Sequence, residues 1–234
     1  MKLTPYEVGE NALCLLDIPS VRANLLCQKL SHSNNVNISC LDDAKLNAKS
    51  YKCEIGASSY VLALLVKLAC KDEFSDLDEG FLSAESCLGE EEANEILAFL
   101  PNARFLIFDK SLLSHKDFES IAFFMGVLCE KFKLKLACSD ESKKELETSQ
   151  FLGLKELDNF DGLVLCRTKD EKLRCSKQFL QIAKAQNGDE LIIKGKDFNV
   201  KAQIQLDESL QGTVGFLNFA HKGFDFVQVM VERA

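Results

Sequence analysis

RCSKQFLQIAKAQNGDELIIKGKDFNVKAQIQLDESLQGTVGFLN, residues 174–218, is the stretch on which the architecture turns. Phe179, Leu180, Ile182 and Ala183 share one face of a short amphipathic helix that ends at Asn187-Gly188-Asp189. Leu191-Ile192-Ile193 reads as a strand, and then Val200, Ala202, Ile204 and Leu206 alternate with polar residues. A corner at ESLQGTV leads into a further strand. This order predicts a compact β unit with Ile192, Ile204 and Val214 among its buried residues, since a one-residue slip would exchange the two faces.

Upstream the pattern changes. Ala12 to Ile18 is of strand length, and Pro19-Ser20 then opens a helix through Leu30 with Val21, Leu25, Leu26 and Leu30 aligned. Val36–Leu41 and Tyr51–Ile55 read as short strands. Gly56-Ala57-Ser58-Ser59 is a tight turn with a serine cap, ahead of a helix, Tyr60–Cys70, that is apolar nearly all round and so must be sandwiched. Residues 71–92 form an acidic connection with nine carboxylates against one Lys, leading into a helix stopped by Pro101. Strand Phe105–Phe108, helix Lys116–Phe132, strand Leu134–Cys138, a polar helical segment Glu141–Glu147 and strand Gly162–Cys166 complete the series. Apolar strands alternating with helices predict an α/β fold, a parallel sheet with helices on both faces. The expected division is an α/β domain over 1–170 and a small β-barrel-like C-terminal module over 171–234.

The 234 residues are 47% hydrophobic and 27% charged with 3 Pro, the composition of a globular chain able to bury a core. A net charge of −8 argues against a nucleic-acid binder, which needs a basic face. The longest apolar run, Tyr60–Val66, is too short to span a bilayer, and MKLTPYEVGENAL lacks the basic-then-apolar pattern of a secretion signal. A cytoplasmic location is expected. None of the 10 cysteines lies within five residues of another, so the close spacing from which zinc and iron–sulfur sites are built is missing. They are expected to be small buried hydrophobes, Cys14, Cys70, Cys129 and Cys166 among them.

The middle and tail together resemble a known superfamily. YKCEIGASSYVLALLVKLA (51–69), GFLSAESCLGEEEANEILAFL (80–100), ARFLIFDKSLLSHKDFESIAFFMGVL (103–128) and LDNFDGLVLC (157–166) carry the resemblance by their order. The tail is similar to the molybdopterin-dinucleotide-binding module of the molybdopterin oxidoreductases. The whole most closely resembles the C-terminal part of the large iron–sulfur subunit of bacterial NADH:quinone oxidoreductase, complex I. That family's clustered cysteines are not reproduced here, and its molybdenum ligand maps onto no residue of this chain. The resemblance therefore implies a reduced, cofactor-free relative: a non-catalytic accessory subunit in a complex I-like peripheral arm, acting by protein–protein docking in respiratory electron transfer. The partners it implies are other peripheral-arm subunits or an electron-carrier protein, with membrane contact only through the complex, at the cytoplasmic face of the inner membrane. The alternative is a molybdopterin- or nucleotide-binding oxidoreductase or cofactor carrier.

Three places are candidate sites. Gly56, Ser58 and Ser59 could hold a phosphate at a helix N-terminus, where free N–H groups and the dipole favour an anion, although no GxGxxG or GxxxxGK[ST] is present. His115 stands at a helix start where a general base could sit, but no nucleophile or carboxylate pair accompanies it, and His32 and His221 lie in polar loops. Asp76, Asp78, Glu79 and Glu85 of the acidic connection offer an electrostatic docking surface for a basic partner, against the plainer reading of a solvated loop. No catalytic residue and no metal ligand is assigned.

Overall fold

The computed structural model describes residues 1–143, 145–147 and 150–233. The chain divides into two compact units, Met1–Leu157 and Asp158–Ala234.

In the first unit, β1 (Ala12–Leu15) is followed by two short helices, α1 (Pro19–Arg22) and α2 (Asn24–Leu30), and then by β2 (Asn35–Ser39) and β3 (Lys49–Lys52). Next come α3 (Ser58–Ala69), α4 (Glu79–Ser86), α5 (Glu90–Phe99), β4 (Phe105–Phe108), α6 (Phe118–Phe132) and β5 (Lys135–Cys138). All five strands are parallel, in the order β3-β2-β1-β4-β5, with Leu13 level with both Val36 and Leu106. Side chains alternate along each strand, and both sets are buried in β1 and β4. Ala12, Cys14, Phe105 and Ile107 pack with Leu26 and Leu30 of α2 on one face. Leu13, Leu106 and Phe108 on the opposite face are fully buried as well, and eight consecutive residues of α3, Ser59–Val66, are buried. Helices thus cover the sheet on both faces, the arrangement a parallel sheet requires. The outer strand β3 carries Lys49, Ser50 and Lys52 outward, which blunts the open edge.

Two expectations for this unit need correction. The helix expected to run from Pro19 to Leu30 breaks at Ala23 (φ −141°), so Val21 and Leu25 turn to solvent while Leu26 and Leu30 stay in the core. The helix expected over Glu141–Glu147 does not form among the described residues of that segment, where Glu145 instead makes an isolated antiparallel bridge with Lys2; Lys144 lies outside the described residues. The acidic connection is more ordered than expected. It contains α4, capped by the Asp78 side chain accepting from the Phe81 N–H at 2.7 Å, and buries Leu82 and Leu88.

The second unit is a closed barrel. Its strands are β6 (Leu163–Arg167), β7 (Leu173–Cys175), β8 (Glu190–Lys194), β9 (Asn199–Leu206), β10 (Val214–Leu217) and β11 (Phe226–Arg233), with α7 (Lys177–Ala183) between β7 and β8. Around the barrel the order is β10-β6-β11-β8-β9-β7. β6, which was expected to end the parallel sheet, therefore belongs to the barrel, paired with β10 and β11. The compact units meet at Leu157/Asp158, earlier than the boundary expected after residue 170. α7 begins at Ser176, whose hydroxyl accepts from the Phe179 N–H at 3.1 Å and donates to the Gly212 carbonyl. Phe179 is fully buried in the barrel core with Leu165, Leu173, Leu191, Ile193 and Ile204. Ile204 and Val214 are buried as expected, but Ile192 is only half-buried, because Leu191 and Ile193 take the inward positions of β8.

Among the described residues, no helix is long and apolar enough to cross a membrane.

Candidate functional site

In a doubly wound sheet the ligand crevice lies beyond the carboxyl ends of the strands where the strand order reverses, which here is between β1 and β4. The chain leaves β1 through Asp17 and Ile18, the latter at φ 42°, and leaves β4 through Asp109. The polar groups at this point are engaged with one another. Asp17 accepts from the Ser39 hydroxyl at 2.6 Å and the Cys40 N–H at 3.2 Å. Asp109, 4% exposed, accepts from the Ser111 N–H at 2.8 Å and pairs with Arg22 at 3.3 Å. Burial raises the Asp109 pKa and the neighbouring Asp17 adds to this, while the Arg22 guanidinium opposes it. The attraction within such a buried pair offsets the cost of its desolvation, and losing either partner would leave an uncompensated buried charge. It acts as a plug at the switch point.

The Gly56–Ser59 turn follows β3 at the same edge of the sheet. Gly56 adopts φ +76°, in the left-handed region that favours glycine. Its carbonyl lies 2.9 Å from His115 Nε2, and His115 Nδ1 accepts the Asp117 N–H at 3.1 Å. With Nδ1 accepting, Nε2 is the nitrogen that donates to Gly56. Both ring nitrogens are thus committed to main-chain groups, so the buried His115 ties the two loops together and is poorly placed as a general base. The expected serine cap is absent. Ala57 is the N-cap of α3, with no side-chain cap bond. Ser58 is half-buried, and Ser59 is fully buried with its hydroxyl unpartnered. The surroundings are acidic. The Tyr60 phenol is pushed up by burial, and the charges of Glu85, Asp117 and Glu156 add to the shift. A helix N-terminus offers roughly half a positive charge, which three nearby carboxylates outweigh. These residues do not fit the pyrophosphate of a pterin dinucleotide.

Asp76, Asp78 and Glu85 are exposed and Glu79 is half-exposed along α4 and its approach. Among the described residues, no ion pair involves a carboxylate of residues 71–92. The Lys67 ammonium, beside this segment, donates to the carbonyls of Phe74 and Ser75 at 3.1 and 3.2 Å instead. Among the described residues, the acidic surface is left without neutralising partners.

A cavity of about 250 Å³ opens at the start of α6, lined by Asp117, Glu119, Ser120, Leu152, Gly153 and Lys155 among others. Asp117 is 1% exposed. One of its oxygens accepts from the Lys155 N–H at 3.3 Å, and the other, Oδ1, is buried without a hydrogen-bond partner. The Ser120 hydroxyl donates to the Gly153 carbonyl at 3.3 Å. These residues escape sequence reading because an Asp at a helix start looks like a cap, and no spacing rule joins residues 117–120 to 150–155.

The remaining histidines are spoken for or peripheral. His221 Nδ1 lies 2.9 Å from Asp197, and His32 is exposed beside Val8 and Leu25. Cys14 and Cys166 are buried as expected, Cys70 and Cys129 only half-buried, and Cys87 is exposed. Among the described residues, no group of three or more His, Cys, Asp or Glu is placed to hold a metal ion. No model of a known protein family matches the chain, and no curated protein matches it.

Proposed function

We propose that the protein is a non-catalytic accessory subunit of a complex I-like peripheral arm, working by docking onto neighbouring redox subunits. The observation that carries this reading is the acidic surface on α4 and its approach, whose carboxylates have no ion-pair partners among the described residues. Unpaired surface charge of one sign steers a complementary partner and raises the encounter rate more than the final affinity. Two further features support it. A doubly wound unit followed by a closed barrel agrees with the element order implied by the resemblance. The sheet's switch point is taken up by the Arg22–Asp109 pair.

Two measurements test the reading. The full chain is mixed with purified peripheral-arm subunits of a complex I-like enzyme, and co-elution is expected. The combined substitution Asp76→Asn, Asp78→Asn, Glu79→Gln and Glu85→Gln is expected to slow association and flatten its salt dependence. Asn at 78 retains the α4 cap, so the melting temperature should hold. A chain that elutes alone from every such subunit defeats the docking reading and returns the ligand-binding alternative.

A further inference from the structure

The buried Asp117 Oδ1 is an acceptor with no hydrogen-bond partner among the described residues. We propose that the cavity at the start of α6 receives the guanidinium group of an arginine side chain on the docking partner; this rests on the docking reading above and names the partner's chemistry at one place.

Four features argue for that occupant. The first is the buried acceptor itself. A carboxylate oxygen taken out of water without a donor is costly, and a donor cation relieves it. The second is the lining. The Glu119 carboxylate and the Gly153 carbonyl stand with Asp117 around the same cavity, so acceptors predominate. Lys155 is the counter-charge there, but its ammonium donates to the Lys116 carbonyl at 2.7 Å and lies 4.0 Å from Glu119. Asp117 Oδ1 receives nothing from it.

The third feature is continuity with the acidic surface. The Tyr60 hydroxyl donates to the Lys155 carbonyl at 3.3 Å, and its ring lies 5.9 Å from that of Phe81 on α4. The carboxylates that act on Tyr60 come from both sides, Glu85 on α4 and Asp117 in the cavity. A cation drawn to α4 is therefore led toward Asp117. The fourth is the rim. Leu152, which lines the cavity, is 85% exposed, giving apolar surface for the methylenes behind a charged head. Guanidinium suits the place better than ammonium, because it is planar, weakly hydrated and presents five donors in a fixed fork. An anion is disfavoured by the two carboxylates.

The test uses the full chain and methylguanidinium chloride, followed by amide NMR shifts. Saturable shifts are expected at residues 117–121 and 153–155. Binding should weaken roughly tenfold in Asp117→Asn, as befits a lost charge-assisted bond, and less in Glu119→Gln, whose exposed side chain leaves the fold intact if the first variant does not fold. Methylammonium should bind more weakly. Absence of saturable shifts there, equal binding by both variants and the parent, or shifts caused by inorganic phosphate instead would each overturn the proposal. Partner capture is scored separately. Capture that survives Asp117→Asn unchanged removes the cavity from the interface and leaves the docking reading standing. Methylguanidinium binding in a chain that captures no partner defeats the docking reading, and with it the partner as the arginine's source.

Discussion

Gly215 lies in β10 against the fully buried side chains of the barrel, and a single methyl group there tests how that interior is packed. A Cβ at this position would sit 2.8 Å from Leu173 Cδ1, 3.0 Å from Phe179 Cε2 and 3.3 Å from Leu165 Cδ2. All three neighbours have no exposed surface and so little room to retreat. Favourable carbon–carbon separations begin near 3.5 Å, so Leu173 must move by about 0.7 Å. Overpacking of this kind costs about 1–3 kcal/mol. Gly215 has no positive φ, so alanine also gains about 0.4–1 kcal/mol by restricting the unfolded chain. The net expectation for Gly215→Ala is a loss of about 1–2 kcal/mol, and each kcal/mol lowers the melting temperature of a unit this small by about 4–8 °C. Scanning calorimetry of the full chain should show the lowered transition. Adding Leu173→Val removes the clashing methyl, so the double variant should be more stable than the sum of its single losses predicts. An unchanged or raised melting temperature for Gly215→Ala, or strict additivity with Leu173→Val, would refute the packing described for the barrel interior.

Other expectations follow from the same contacts. Ile204→Asp places a carboxylate at a position 2% exposed, far beyond what the barrel tolerates, and circular dichroism should show loss of its β signal. Asp117→Asn removes the charge from a buried carboxylate with one oxygen unpartnered and should raise stability by about 1 kcal/mol; a clear drop in the melting temperature would show that the charge is compensated within the fold. The Cys87 thiol is pushed up by partial burial and by the neighbouring Glu54 carboxylate. Glu54→Gln should therefore increase its thiolate fraction at pH 8 and speed maleimide labelling, while Cys175, pushed up to about 12 by burial, stays unreactive in both proteins.

The sequence made some elements plain and hid others for physical reasons. Phe105–Phe108 was legible to the residue, because four apolar side chains stand between Arg104 and Asp109 and a strand buried on both faces looks like that. The inward set of β9 was legible from its alternation. β8 was not, since Leu191-Ile192-Ile193 is apolar at every position and only the pairing with β9 and β11 decides which side chain points inward. The placement of β6 was hidden for a related reason: its composition suits a parallel sheet or a barrel equally, and its partners β10 and β11 lie far along the chain, near its end. The break at Ala23 left no mark, as Val21 and Leu25 continue a helical stripe that the fold does not use. Asp78 did carry a signal for α4, an Asp ahead of a helical pattern, which the density of neighbouring acids obscured. The acidic surface was visible as composition. The Asp117 cavity needed the fold, because two loops far apart in sequence form it.

The position of β11 between β6 and β8 has a consequence for how the chain is made. The barrel is the one unit that cannot be completed strand by strand as it leaves the ribosome. Until Phe226–Arg233 emerges, β6 and β8 each present an open row of main-chain donors and acceptors, the kind of edge on which chains associate with one another. The parallel sheet, whose five strands all precede residue 139, has its full set of partners long before that. A premature stop after β6 but ahead of Phe226 should therefore yield a product in which a sound α/β unit carries an adhesive, unfinished tail.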